Sequence, residues 1–155
     1  MKFIYVHHAE RDRSNKNVPR QEQDITERGV QEANLLEKKI NDLGVTKIYS
    51  STYKRCLHTA NILNKNKKLE IIKEERLNEW DKNETFKYFL ERNIEAIDEI
   101  KRNSNEDDVI MCITSGINLS AFVCYFTNST PSDNSPRIQG ITISPVLFST
   151  NKQVF

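Results

Sequence analysis

Residues Lys2-Phe3-Ile4-Tyr5-Val6-His7-His8-Ala9-Glu10 decide the fold. The run from Phe3 to Val6 is apolar and of strand length, and it stops on two adjacent histidines. Open α/β folds place reactive groups at the carboxyl ends of buried strands. Imidazole titrates near neutrality, so its neutral form is available as a nucleophile at pH 7. The chain has three histidines, and His7 and His8 are two of them. They make a poor metal pair, because neighbouring strand residues point to opposite faces and no third ligand is spaced nearby.

Outward from this strand, further strand signals lie at Lys47–Ser50, Leu69–Ile72, Asp108–Thr114 and Ile141–Phe148. Helical patterns separate them. Thr26 can cap a helix with the apolar face Val30, Ala33, Leu36, Ile40 and Leu43, and Gly44 suits the left-handed position that ends it. Ser51 or Thr52 can cap a second helix carrying Tyr53, Leu57, Ala60 and Leu63. Thr85 can cap a third with Phe86, Leu90, Ile94, Ile97 and Ile100. Residues 117–126 are apolar nearly all round, which predicts a buried helix. Thr127–Gly140, rich in Ser, Asn, Asp and Pro, reads as a long surface loop. Strands alternating with helices of this length predict an α/β fold of three layers, a mostly parallel sheet flanked by helices. With 155 residues and no internal linker or repeat, residues 1–155 read as one domain.

Composition narrows the function. Twenty-three basic and 22 acidic residues nearly cancel, so no global field favours nucleic acid or an anionic membrane. No apolar stretch approaches the roughly 20 residues that span a bilayer. The polar run from His7 to Arg13 interrupts any signal-peptide core. Cys56, Cys112 and Cys124 are scattered without CxxC spacing. They read as free thiols of a cytoplasmic protein, and their apolar surroundings argue against thiol catalysis.

Two strand-to-helix junctions carry chemistry. One is Val6-His7-His8-Ala9-Glu10; the other is Tyr49-Ser50-Ser51-Thr52-Tyr53-Lys54-Arg55. A helix N-terminus favours an anion, and a guanidinium in its first turn can grip two phosphate oxygens. If both junctions share one edge of the sheet, His8 and Arg55 meet over a common pocket. A nucleophilic imidazole beside a fixed cation is what phosphoryl transfer through a phosphohistidine requires. Taken singly, Arg55 and Glu79 would read as solvated charges, Trp80 as a packing residue and His58 as a helix-surface histidine. Ser115 lacks the Gly-x-Ser-x-Gly setting of a nucleophile.

In five ordered blocks the chain resembles the histidine phosphatases of the phosphoglycerate mutase-like superfamily. The opening signature of that family, strand-Arg-His-Gly (or Ala)-Glu, is similar to Val6-His7-His8-Ala9-Glu10. The following blocks resemble Asp24 to Ala33, Ser50 to Ala60, Leu77-Asn78-Glu79 and Val109 to Gly116. The resemblance implies His8 as the nucleophile that takes the phosphoryl group, Arg55 as a phosphate ligand and Glu79 as the general acid. It implies no cofactor and no metal, and a small phosphorylated molecule as partner. Two positions depart from the pattern. His7 stands where the family has Arg, and Ser115 where it has a second His. Both are expected against the phosphate, His7 with charge only when protonated and Ser115 as a neutral donor. Arg11, Arg13 or Arg20 is a candidate to replace the lost charge. The expected function is a phosphatase acting on a small phosphomonoester. The alternative is a catalytically inactive phospho-ligand-binding or interaction module of the same fold. A mutase is disfavoured, because mutases of this family resemble longer chains. Specificity is expected from the loops Arg11–Gln23 and Asp81–Thr85.

Overall fold

The computed structural model describes residues 1–127 and 147–149. In chain order the elements are strand β1 (Lys2–His7), helix α1 (Glu27–Ile40), β2 (Lys47–Ser50), α2 (Lys54–Asn64), β3 (Ile71–Lys73), α3 (Phe86–Arg102), β4 (Val109–Thr114), α4 (Gly116–Thr127) and β5 (Leu147–Ser149). The sheet order is β3-β2-β4-β1-β5. Pairings β1–β4, β2–β4 and β2–β3 are parallel, and β5 runs antiparallel along β1.

Alternation along the strands builds the three layers. Ile4, Val6, Ile48, Met111 and Ile113 pack against Leu36 and Ile40 of α1 and Ala60 and Leu63 of α2. Phe3, Tyr5, Tyr49, Ile110 and Cys112 pack against Ala96, Ile97 and Ile100 of α3 and Leu119 and Phe122 of α4. Each central strand is therefore apolar on both faces, as expected of a parallel sheet covered on both sides. Among the described residues no helix is long and apolar enough to cross a membrane.

Several sequence expectations shift. Thr26 and Thr85 cap α1 and α3, accepting from the backbone N–H of Gly29 and Tyr88. Gly44 adopts the left-handed conformation (φ +67°), but it follows a 3-10 turn over Asn41–Leu43 rather than the α-helix itself. The cap of α2 is Tyr53, without a side-chain cap, because the Ser51 and Thr52 hydroxyls bond to Asn78 instead. The buried stripe of α3 is Phe89, Asn93, Ala96, Ile97 and Ile100. Ile97 and Ile100 are as expected, whereas Phe86, Leu90 and Ile94 are only half-buried and the polar Asn93 takes a place in the stripe that apolar spacing does not mark. The third strand lies at Ile71–Lys73, two residues later than the apolar run begins, at the sheet edge. Of the expected loop and last strand, 128–146 fall outside the described residues.

After β1 the chain turns into a short clip. Arg11 and Ile25 form an antiparallel bridge, Asp12 N–H donates to the Asp24 carbonyl, and Thr26 N–H donates to the Glu10 carbonyl at 2.9 Å. Gly29 packs against this clip, and a Cβ there would stand 2.7 Å from the Glu10 carbonyl oxygen. That oxygen is backbone held by the clip, so it cannot yield cheaply. Gly29→Ala is therefore expected to destabilise the fold by about 1–3 kcal/mol. Chemical denaturation of both proteins measures this, and an unchanged midpoint would show that the clip gives way freely.

Candidate active site

The parallel ladder brings the two junctions together. His8 N–H donates to the Thr114 carbonyl, and Ser51 N–H donates to the Ile113 carbonyl, each at 2.9 Å. Both junctions are thus fastened to the carboxyl end of β4. Thr59 adds a cross-tie, accepting from Ala9 N–H at 3.1 Å and donating to the Arg55 carbonyl at 2.7 Å.

Arg55 occupies the first turn of α2 with its side chain 0% exposed. Its Nε donates to His8 Nε2 at 3.0 Å, one terminal nitrogen to the Arg20 carbonyl at 2.7 Å, and the other to Glu79 Oε2 at 2.5 Å. The Tyr53 ring lies 4.8 Å beneath the guanidinium. The His8 ring places Nδ1 2.8 Å from the Ala9 carbonyl. A carbonyl only accepts, so Nδ1 carries the proton and Nε2 presents its lone pair. Burial, then the neighbouring His7, Arg55 and Arg11, push the His8 pKa down to about 2 against the Ala9 contact. His8 is a neutral imidazole with its lone pair facing the buried guanidinium of Arg55. That is the arrangement a nitrogen nucleophile needs.

Glu79 closes the other side. Besides Arg55, its carboxylate pairs with Arg20 at 2.5 Å and stands 4.0 Å from Arg11. Asn78 holds this segment in place, its side-chain oxygen accepting from Ser51 Oγ, Thr52 N–H and Thr52 Oγ1 at 2.7–3.0 Å. Asn118 fixes it from behind by donating to the carbonyls of Leu77 and Asn78 and to Asn93 Oδ1. A cavity of about 470 Å³ borders Glu79, and Tyr53, Asn78, Asp81, Asn83 and Glu84 line part of it.

His8, Arg55 and Glu79 therefore meet. His7 stacks on the His8 ring with 4.3 Å between centroids. Burial lowers its pKa, outweighing the opposing pull of Glu79, so His7 is a neutral ring here. Ser115 is buried, and its hydroxyl donates to Asn118 Oδ1 at 2.6 Å. Among the described residues no hydrogen bond joins Ser115 to His8 or Arg55. Of the three arginines singled out in the sequence, Arg11 and Arg20 reach Glu79 and Arg13 is exposed. His58 is part-exposed and pairs with Asp24. Thr59, Asn78 and Asn118 went unassigned in the sequence reading. The available signal was Asn118, a lone amide in an otherwise apolar helix.

The chain matches the family model of the histidine phosphatase superfamily (branch 1) over residues 3–84, the stretch that holds His8, Arg55 and Glu79. The chain belongs to the histidine phosphatase superfamily. No curated protein matches it in sequence. Solved structures share the fold at low identity. A mycobacterial glucosyl-3-phosphoglycerate phosphatase is 16% identical with a TM-score of 0.74, over 87% of this chain and 85% of that one. The alpha-ribazole phosphatase of Shigella flexneri is 15% identical with a TM-score of 0.72, over 84% and 81%. A phosphoserine phosphatase of Entamoeba histolytica is 17% identical with a TM-score of 0.68, over 83% and 80%. Among the described residues of this histidine phosphatase family member, no group of three or more His, Cys, Asp or Glu could hold a metal ion.

The depressed His8 pKa has a consequence for stability. Unfolded imidazole takes up a proton near pH 6.5, whereas folded His8 does so only near 2. The unfolded state therefore binds more protons below pH 6.5, and stability falls as the pH drops. Between pH 7 and 5 His8 alone should remove about 2 kcal/mol. His8→Gln should weaken that pH dependence, leaving the smaller share of His7. Urea midpoints at the two pH values check this, and identical slopes in both proteins would contradict it.

Proposed function

We propose that this protein is a phosphoric monoester hydrolase that acts on a small phosphomonoester through a phosphohistidine on His8. The observation that carries the reading is the contact between Arg55 Nε and His8 Nε2, with Nδ1 held by the Ala9 carbonyl. It leaves one nucleophilic lone pair directed at the place where a guanidinium would hold phosphate.

The incoming phosphoryl dianion replaces Glu79 at the guanidinium donors of Arg55 and Arg20 and takes the Arg55 Nε–H from His8, which frees the Nε2 lone pair. His8 Nε2 forms a bond to phosphorus as the bond to the ester oxygen breaks. Glu79, released from the arginines, takes up a proton from solvent as the substrate enters and gives that proton to the leaving alkoxide. A water then attacks phosphorus and loses its proton to Glu79. The phosphorus–nitrogen bond breaks, inorganic phosphate leaves, and Nε2 recovers its lone pair. The leaving group has room in the cavity beside Glu79, where Asp81, Asn83 and Glu84 of the expected specificity loop stand.

A second reading has its own support. His7 is neutral and the Ser115 hydroxyl is committed to Asn118, so two positions give the phosphate no cation. Loss of one preorganised donor can slow such a reaction about 100- to 1,000-fold. A module of this fold that binds a phosphorylated ligand and turns it over poorly is consistent with that loss.

Hydrolysis of p-nitrophenyl phosphate by wild type and His8→Ala separates the readings. The phosphatase reading expects turnover in the wild type and none in the variant. Equal rates in both would remove the phosphohistidine. A folded wild type that binds phosphate through Arg55 without turnover would establish the binding module. Glu79→Gln should lower the rate by about 100-fold with an alkyl phosphate and less with p-nitrophenyl phosphate, whose leaving group needs little protonation. Because His8 stays unprotonated well into the acid range, its protonation should not reduce kcat/KM between pH 8 and 5. A steep fall in kcat/KM centred near pH 6.5 would count against this.

A further inference from the structure

Arg11 follows His8 by three residues, and the clip with Ile25 fixes its backbone. Its side chain is 16% exposed and turns toward the pocket, with a terminal nitrogen 4.0 Å from Glu79 Oε2. Its Nε is buried and has no hydrogen-bond partner among the described residues. An unmet donor on a desolvated cation is costly unless an acceptor arrives. Burial and the charges of Arg13 and Arg55 lower the Arg11 pKa, and Glu79 opposes them only in part.

The charge balance points the same way. Three guanidiniums, those of Arg11, Arg20 and Arg55, face one carboxylate, that of Glu79. Around Glu79 the guanidiniums therefore outnumber the carboxylate by two. Other nearby carboxylates have partners of their own: Glu10 with Thr26 and Arg28, Asp24 with His58 and Lys54, Asp12 with the backbone N–H of Ser14, Glu84 with Arg92, and Asp81 with the backbone N–H of Asn83. A phosphomonoester carries close to two negative charges at neutral pH. It matches the excess that the protein leaves unbalanced.

We propose that Arg11 is a phosphate-binding residue of this site, its unmet Nε–H and its terminal nitrogen supplying the guanidinium contact that position 7 lacks. The phosphoryl group is then held between Arg55 on one side and Arg11 on the other, with His8 Nε2 in line. This assignment rests on the phosphatase reading for its chemistry, but phosphate binding tests it without turnover.

The experiment is calorimetric titration with inorganic phosphate, paired with p-nitrophenyl phosphate kinetics, on wild type, R11Q, R11K and R28Q. R28Q is the control, an exposed guanidinium paired with Glu10 and Glu32. R11Q should weaken phosphate binding about 10-fold and lower kcat/KM about 100-fold, in line with the loss of one preorganised donor. R11K, with a charge but no fork, should recover part of the binding. R28Q should stay within about twofold of wild type in both, as a surface charge away from the site. Adding H7R to R11Q should restore binding, because the guanidinium returns beside His8. If R11Q does not fold, R11K against wild type decides. R11Q and R11K binding phosphate as wild type does, while turnover still depends on His8, would overturn the assignment and leave the phosphatase reading standing. Phosphate binding that depends on Arg11 without any His8-dependent turnover would keep the assignment and remove the phosphatase. A folded wild type that binds no phosphate would overturn both.

Discussion

The buried guanidinium of Arg55 is the constraint on which the site depends. A charge taken wholly out of water is tolerated only when its donors are met and its charge is balanced. Arg55 satisfies this with partners from three separate stretches of chain: the His8 imidazole, the Arg20 carbonyl and the Glu79 carboxylate. None of the three is a neighbour in sequence. The demand of one side chain thus draws the strand end, the loop after it and the segment before α3 into one place. The Tyr53 ring and the Thr59 cross-tie then restrict where that side chain can go. Glu79 completes the balance of charge at Arg55 and shares itself with Arg20.

Much of this was legible in the sequence because it follows from local chemistry. The apolar alternation of β1 and β4, the Thr26 and Thr85 caps and the position of Gly44 each obey rules that need only neighbouring residues. The meeting of His8 and Arg55 was legible from two strand-to-helix junctions at one sheet edge, and the place of Glu79 beside them only through the order of the family blocks. What was hidden is the polar framework behind them. The Ser51 and Thr52 hydroxyls look like caps for α2, but Asn78 competes for them from a distant segment. Asn93 interrupts the apolar stripe of α3 because Asn118 of α4 meets it across the layer. Ser115 looks like a phosphate donor until Asn118 is seen to hold its hydroxyl. Each of these is settled by a tertiary hydrogen bond, and spacing along one helix carries no trace of such a bond.

The distribution of charge around His8 departs from the family pattern in place more than in amount. Position 7 holds a neutral ring stacked on His8, and burial is the first cause that keeps His8 unprotonated. Guanidiniums stand instead on the clip after β1 and the loop beyond it, where Arg11 and Arg20 reach Glu79. The close approach of Gly29 to Glu10 holds the first of these in place from outside the pocket. A helix opening on Glu27 thereby helps to set the electrostatics of a site it does not line.

The register of the sheet also orders events in time. β1 and β2 do not pair with each other; both pair with β4, Lys2 opposite Val109 and Lys47 opposite Ile110. His8 and Arg55 both precede in sequence the strand β4 to which their junctions are fastened. Contacts of such long sequence separation form slowly, because the loop between them must close first. His8 and Arg55 are therefore fastened side by side only once β4 has slotted between β1 and β2.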